Sequence, residues 1–409
     1  MLEPVDRHAR TRARRARARR ARRLRRAAAA VVLLAAAGAA AAMLLRPGSA
    51  TDSAAPSAAP RPAAAAPRVP APAPPATQEE PQPATARVEV PEVMRGVHVT
   101  MRLAATPGRL ERYLAIPGLN TLQVDVKDES GLVAFAPASV PLVRELGASG
   151  DYYSPWRLAE RVHERGVFLV GRVVTFQDSK LALQRPELAV QRADGSVWRN
   201  DGGKAWANPH DRRAWKYVVD VAAAAARAGF DEIQFDYVRF PSDGDVASAV
   251  YPGATETPPA EVIASFLRYA SERLRPLGVR VSADVFGLAA TLDVGIGQHP
   301  RLLAPYLDAI YPMAYPSHYR PGEYGLPDPN AAPGPTVAAT MRDFRRELAG
   351  HRTAIIPWLQ DFSLGRYYSP DDVRAQIDAA LDGGSAGFLL WNASGEYTEE
   401  ALSHRAGEP

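Results

Sequence analysis

An α/β fold, a (β/α)8 barrel, is what this 409-residue sequence predicts downstream of about residue 90. Three observations predict it. Short apolar stretches with period-2 alternation recur eight times, and helix-like stretches separate them. Several of the strand-like stretches also carry a polar or charged residue on the inward face near their C-terminal ends, where barrel enzymes keep their chemistry. The strands are expected at 95–100, 121–127, 167–174, 232–238, 279–286, 309–315, 353–360 and 387–392. Helices are expected at 107–115, 155–165, 211–228, 258–275, 300–307, 336–350 and 370–383. Ser154-Pro155 and Ser369-Pro370-Asp371-Asp372 are helix-start signals, and Gly383-Gly384 is a helix stop.

The first ninety residues read differently. Residues 7–26 are almost only Arg and Ala, and 27–45 form the uncharged run AAAAVVLLAAAGAAAAMLL, close to the roughly 20 residues that cross a bilayer. A basic flank before an apolar run directs the N-terminus to the cytoplasm and the rest outward. Residues 1–26 are therefore expected as a cytoplasmic segment and 27–45 as a transmembrane signal-anchor helix. A cleaved signal peptide is the alternative, with Ser49-Ala50 as small residues for a peptidase, but the run exceeds the usual h-region. Residues 46–90, rich in Pro and Ala, form a disordered linker, and 91–405 hold the barrel. The expected location is outside the cytoplasmic membrane, anchored to it, or secreted if the signal is cut.

Charge divides along the same line. Residues 1–46 hold thirteen Arg against Glu3 and Asp6, a balance of +11, so the whole chain's +4 leaves −7 to the remainder. The basic character belongs to the export segment. A mildly acidic folded part argues against nucleic acid as partner and permits a neutral glycan. With no Cys there is no disulfide framework, thiolate metal site or cysteine nucleophile.

The inward faces carry the chemistry. In 229–241, Gln234 and Asp236 share one face while Ile233 and Phe235 share the other. By the same alternation His98 ends the first strand, Asp125 and Lys127 the second, and Arg172 lies on the third. Ser282 and Asp284 face inward on the fifth, Tyr311 and Tyr315 on the sixth, and Trp358 and Gln360 on the seventh. Trp391 and Asn392 end the eighth. A barrel interior built only for stability uses Val, Ile and Leu instead. So many polar and aromatic groups suit a hydrogen-bonding ligand the size of a sugar.

Asp236 and Asp284 end neighbouring strands, about 4.8 Å apart in backbone. That brings their carboxyls to roughly the 5–5.5 Å of retaining glycosidases, with Asp236 as nucleophile and Asp284 as acid/base. Arg239 follows in the loop and can shape the charge there. Trp198 and Trp206, on the long connection 177–210, are expected to form part of a substrate wall, as are Tyr315 and His318. Lys127 can pair with a carboxylate or orient a sugar hydroxyl; nothing specifies the pKa-lowering pocket that a Schiff-base lysine needs. His98 stands without His-x-His or His-Glu-x-x-His spacing, so no metal site is expected, nor any cofactor.

The stretches 231–241, 124–128, 282–287 and 311–319 together resemble the bacterial putative glycosyl hydrolase domain family, over roughly residues 93–402. The resemblance implies a barrel distantly similar to the α-amylase and α-galactosidase enzymes, whose nucleophilic Asp ends the fourth strand, and so implies that role for Asp236. Two positions depart from the α-amylase pattern: Gln234 stands where an Arg precedes the nucleophile, and Asp284 where a Glu is the acid. The expected function is hydrolysis of a poly- or oligosaccharide outside the cytoplasmic membrane. The alternatives are a catalytically silent polysaccharide-binding envelope protein and a metal-dependent deacetylase.

Overall fold

The computed structural model describes residues 87–402. Within them the alternation predicted from sequence becomes a sheet that closes on itself. Its strands are β1 (Met94–Val99), β2 (Thr121–Lys127), β3 (Phe168–Val174), β4 (Glu232–Asp236), β5 (Arg280–Phe286), β6 (Ala309–Met313), β7 (Ala354–Ile355), β8 (Trp358–Gln360) and β9 (Gly387–Trp391). All neighbours pair in parallel, and the β5–β6 and β1–β9 pairings complete the barrel. The expected (β/α)8 barrel is therefore present, with β7 and β8 as two halves of one stave. Pro357 divides them, because it has no N–H to give a ladder.

Helices pack outside the strands. Pro370–Asp382 starts on a reciprocal capping box, Ser369 with Asp372. Arg212–Arg227 is capped by Asp211, and its buried Ala222–Ala226 run lets it lie close to the sheet. One large apolar cluster fills the space between strands and helices. A smaller one, with Met94, Phe168, Val170, Tyr311, Trp358 and Leu389, fills the barrel interior. At the closing seam Gly387 has φ +130°, and a Cβ there would meet the Met94 backbone at 2.2 Å; only glycine fits this approach.

Two irregularities position the site. β4 stops at Asp236, two residues short of the expected end, because Tyr237 adopts φ +48°. A non-glycine residue in that region carries local strain, which tends to gather at functional sites. The β2–β3 register also shifts between Asp125 and Lys127, so these two residues do not stay in step.

The N-terminal end of the barrel is sealed. Arg87, assigned to the linker by composition, donates to the carbonyls of Phe230, Ala226 and Leu277, and Asp231 accepts from Val88 N and pairs with His163. The chain thus enters the fold on the face opposite the C-terminal mouth. Among the described residues no helix is long and apolar enough to cross a membrane. The expected segments 1–26 and 27–45, and the linker up to residue 86, lie outside the described residues.

Candidate active site

Side chains from six strands form a continuous belt across the upper interior. Starting at β3, Arg172 gives Nε and Nη2 to Asp236 Oδ2 at 2.9 and 2.7 Å, and Nη1 to Asp125 Oδ1 at 2.7 Å. Asp236 Oδ1 accepts from the Tyr237 amide at 2.6 Å. The pairing of Phe235 with Ala283 sets Asp236 beside Asp284 on the next strand. Asp284 Oδ1 accepts from Trp358 Nε1 at 2.7 Å, and the Trp358 ring meets His98 edge-on at 6.3 Å. His98 Nδ1 lies 2.5 Å from Gln123 Oε1, and Gln123 Nε2 donates to Gln234 Oε1, back on β4. His98, Asp125, Arg172, Asp236, Asp284 and Trp358, singled out from sequence, are brought together here.

Arg172 reaches Asp236 from the neighbouring strand; its Cα partner on β4 is Gln234. Burial alone would lower the Arg172 guanidinium, but the charges of Asp236, Asp125 and Glu129 outweigh it and raise it well above its usual value.

The carboxyls have different surroundings. Burial, then the negative charge of Asp236, push Asp284 well above the ordinary carboxylate range, against the Trp358 hydrogen bond. Burial also pushes Asp125 up, opposed by His98 and Arg172. His98 is pushed down, chiefly by burial. One fixed cation therefore faces several acids, and the proton settles most readily on the acid farthest from it in the bonding chain.

Opposite this charged sector stands an aromatic one. Tyr315, Phe362 and Trp391 pack at 5.2–5.9 Å, and His318 joins at 5.4 Å from Tyr315 and 6.1 Å from Phe362. Burial holds the His318 imidazole down at about 4. Burial, then the charges of Asp284 and Asp236, push the Tyr315 phenol well up, so this wall borders the carboxylates.

Five expected residues lie elsewhere. Lys127 stands outside the belt, fully buried, and makes the carboxylate pair that was one of its two expected roles: its ammonium lies 2.9 Å from Asp178 and 2.7 Å from the Val174 carbonyl. Tyr311 is fully buried with its hydroxyl on Glu232 at 2.8 Å, at the barrel floor rather than the rim, where Ser282 and Arg280 hold the same acid. Trp198 and Trp206 are core residues with no exposed surface, and Trp198 donates to the Asp245 carbonyl at 3.0 Å. They fold the long connection onto itself and form no wall, because ring burial there outweighs display. Arg239 makes no ion pair with Asp284, although the charge of Asp236 acts on it as expected. It lies about 5 Å from the rings of Trp206, Tyr237 and Phe286 and donates to Phe240 O and Ser242 Oγ, bracing the loop after β4.

The sequence reading missed three contributors: Gln123 as the partner of His98, Gln234 as the partner of Gln123, and Phe362 as part of the wall. Alternation already turned both glutamines inward. Nothing local marks Phe362, which lies in a loop.

This belt, at the C-terminal mouth of a parallel barrel, agrees with what sequence comparison finds. The profile of a family described as "Putative glycosyl hydrolase domain" matches residues 96–397. The chain belongs to this family. By that membership it is a glycoside hydrolase, acting on O-glycosyl bonds. No curated protein matches it. Among solved structures, a hypothetical protein from Ruminiclostridium thermocellum is 35% identical, over 46% of this chain and 97% of that one, with a TM-score of 0.42. The glycoside hydrolase domain of PgaB (BpsB) from Bordetella bronchiseptica is 16% identical, over 77% of this chain and 100% of that one, with a TM-score of 0.52. The latter likeness is one of fold.

Proposed function

We propose that this glycoside hydrolase cleaves an extracytoplasmic poly- or oligosaccharide by a two-carboxylate retaining mechanism. Asp236 forms a bond to the anomeric carbon as the glycosidic C–O bond breaks, and Asp284 gives its proton to the leaving oxygen. Asp284, now a carboxylate, takes a proton from water, whose oxygen displaces Asp236 and frees the sugar. The single observation carrying this reading is the contrast between adjacent carboxyls. Asp236 lies in the fork of a permanent cation, while Asp284 is buried with a raised proton affinity. An acid held by a cation and a neighbour that keeps its proton suit the two roles. The wall of Tyr315, Phe362 and Trp391 supplies ring faces for the apolar side of a sugar.

The location belongs to the same proposal. Residues 1–26 stay in the cytoplasm, 27–45 anchor the chain, and 46–86 tether the barrel outside. Arg87 entering at the barrel floor supports a mouth facing away from the tether.

The test uses the full chain against soluble starch, chitosan, chitin oligosaccharides, galactomannan and purified peptidoglycan. Release of reducing ends by the parent, its loss in Asp236→Asn and Asp284→Asn, and persisting glycan retardation in native gels support the reading. No release by the parent from any glycan, or parent rates in both variants, sinks it. External protease on intact cells and on spheroplasts tests the location; a barrel cut only after lysis overturns export.

A further inference from the structure

Beneath the carboxylates, an amide chain crosses the barrel and ends on His98. Gln234 Oε1 accepts from Gln123 Nε2, and Gln123 Oε1 faces His98 Nδ1 at 2.5 Å. Gln123 and Gln234 have no exposed surface, and His98 keeps 4%. A carboxamide has one donor end and one acceptor end. As the Gln123 amide is oriented, its donor turns to Gln234 and its oxygen faces the imidazole, an arrangement that places the proton between them on Nδ1.

The other ring nitrogen is then decided. Burial keeps the ring neutral, and a neutral imidazole protonated at Nδ1 carries a lone pair at Nε2. That Nε2 stands 3.8 Å from Asp125 Oδ1, beyond hydrogen-bond length. Both atoms are acceptors, because Oδ1 already receives Arg172 Nη1. Two acceptors facing each other across a short gap call for a donor between them. The ring cannot turn away easily, because Trp358 packs against it.

We propose that Gln123, held by Gln234, is a positioning residue that fixes His98 as its Nδ1–H tautomer, so that Nε2 and Asp125 together receive a donor hydroxyl of the sugar. The hydroxyl rests on the glycoside hydrolase reading; the tautomer does not. In this arrangement His98 orients the substrate and transfers no proton.

The experiment is long-range proton–nitrogen correlation on the full chain in detergent, labelled with 15N-histidine, with His98→Gln to assign the resonance pair. The expected result is a protonated, pyrrole-type Nδ1 and an unprotonated, pyridine-type Nε2 at His98. Gln123→Leu should lose that pattern, and Gln123→Glu, which keeps only acceptor oxygens toward Nδ1, should retain a protonated Nδ1. An Nε2–H tautomer in the parent, or an unchanged pattern in Gln123→Leu, overturns the proposal. On a glycan that the parent cleaves, Gln123→Leu should raise KM about tenfold with kcat little altered, as for loss of one binding hydrogen bond; a fall in kcat alone overturns the role in binding. If no glycan is cleaved, the spectra still decide the tautomer, and that failure belongs to the hydrolase reading alone.

Discussion

Around the barrel mouth, β1 to β5 present charge and amide, whereas the loops after β6 and β8 and the end of β9 present rings. In the first sector Asp125, Arg172 and Asp236 hold one another in place through short, directed bonds. The second sector, Tyr315, His318, Phe362 and Trp391, is held by ring edges and faces. Directed bonds fix an atom to within fractions of an ångström, as bond-making requires, while ring stacking tolerates sliding and suits holding a substrate. Charge sits on the strands and at their ends, and most of the rings sit where loops set the spacing. Substitution of the carboxylates in the first sector should therefore damage rate, and substitution of the rings in the second should damage affinity.

Asp236→Asn should have the largest effect. Its kcat should fall on the order of 10⁴-fold or more, the scale seen when a covalent-catalysis group is lost; a change confined to KM would erase the distinction between sectors. Asp284→Asn should lower kcat by about 10²–10⁴-fold, as for a general acid, and should also raise the melting temperature at neutral pH. The sign follows from its raised proton affinity. Below about pH 4, the usual carboxylate value, Asp284 is protonated folded or unfolded. Above it the folded state alone keeps the proton, so this group's favourable contribution is full at low pH and is lost as pH rises through its own raised value. The melting advantage of Asn should vanish near pH 4 and grow toward neutrality; a pH-independent difference would show that burial does not control this acid.

Arg172→Met leaves Asp125 and Asp236 buried without their cation. Urea denaturation should show a loss of about 3–5 kcal/mol, typical of a broken buried pair; a neutral result would mean the fork serves chemistry and not the fold. Phe362→Ala should have the smallest effect, with KM rising about tenfold or less and kcat unchanged. A large fall in kcat there would merge the two sectors into one.

Much of the barrel was legible because period-2 alternation separates the inward face of a strand from the face that meets the helices, although both are buried. β2 has its expected bounds, and the other staves begin within one residue of theirs. Ends were less legible. β4 stops at Asp236 through a backbone angle that no residue type announces, and Pro357 breaks a stave expected to be continuous. Asp236 and Asp284 could be placed because each lies inward at a strand end. Trp198 and Trp206 could not: a long loop with tryptophans looks the same whether it covers a ligand or its own core. Lys127 shows the limit of alternation, since one register shift removes a residue from the face that counting assigned.

By itself the sequence determined which residues alternate inward, and hence the barrel and the strands that carry its acids, because the alternation of side chains along a strand is local and periodic. It also carried the basic and apolar N-terminal runs that support export. Only the tertiary structure decided who partners whom. Arg172 reaches Asp236 across a strand boundary, Gln123 reaches His98 on one side and Gln234 on the other, and Phe362 meets Trp391 from a separate loop. Those partnerships depend on inter-strand register and loop path, which are set by the packing of the whole barrel and not by any one segment.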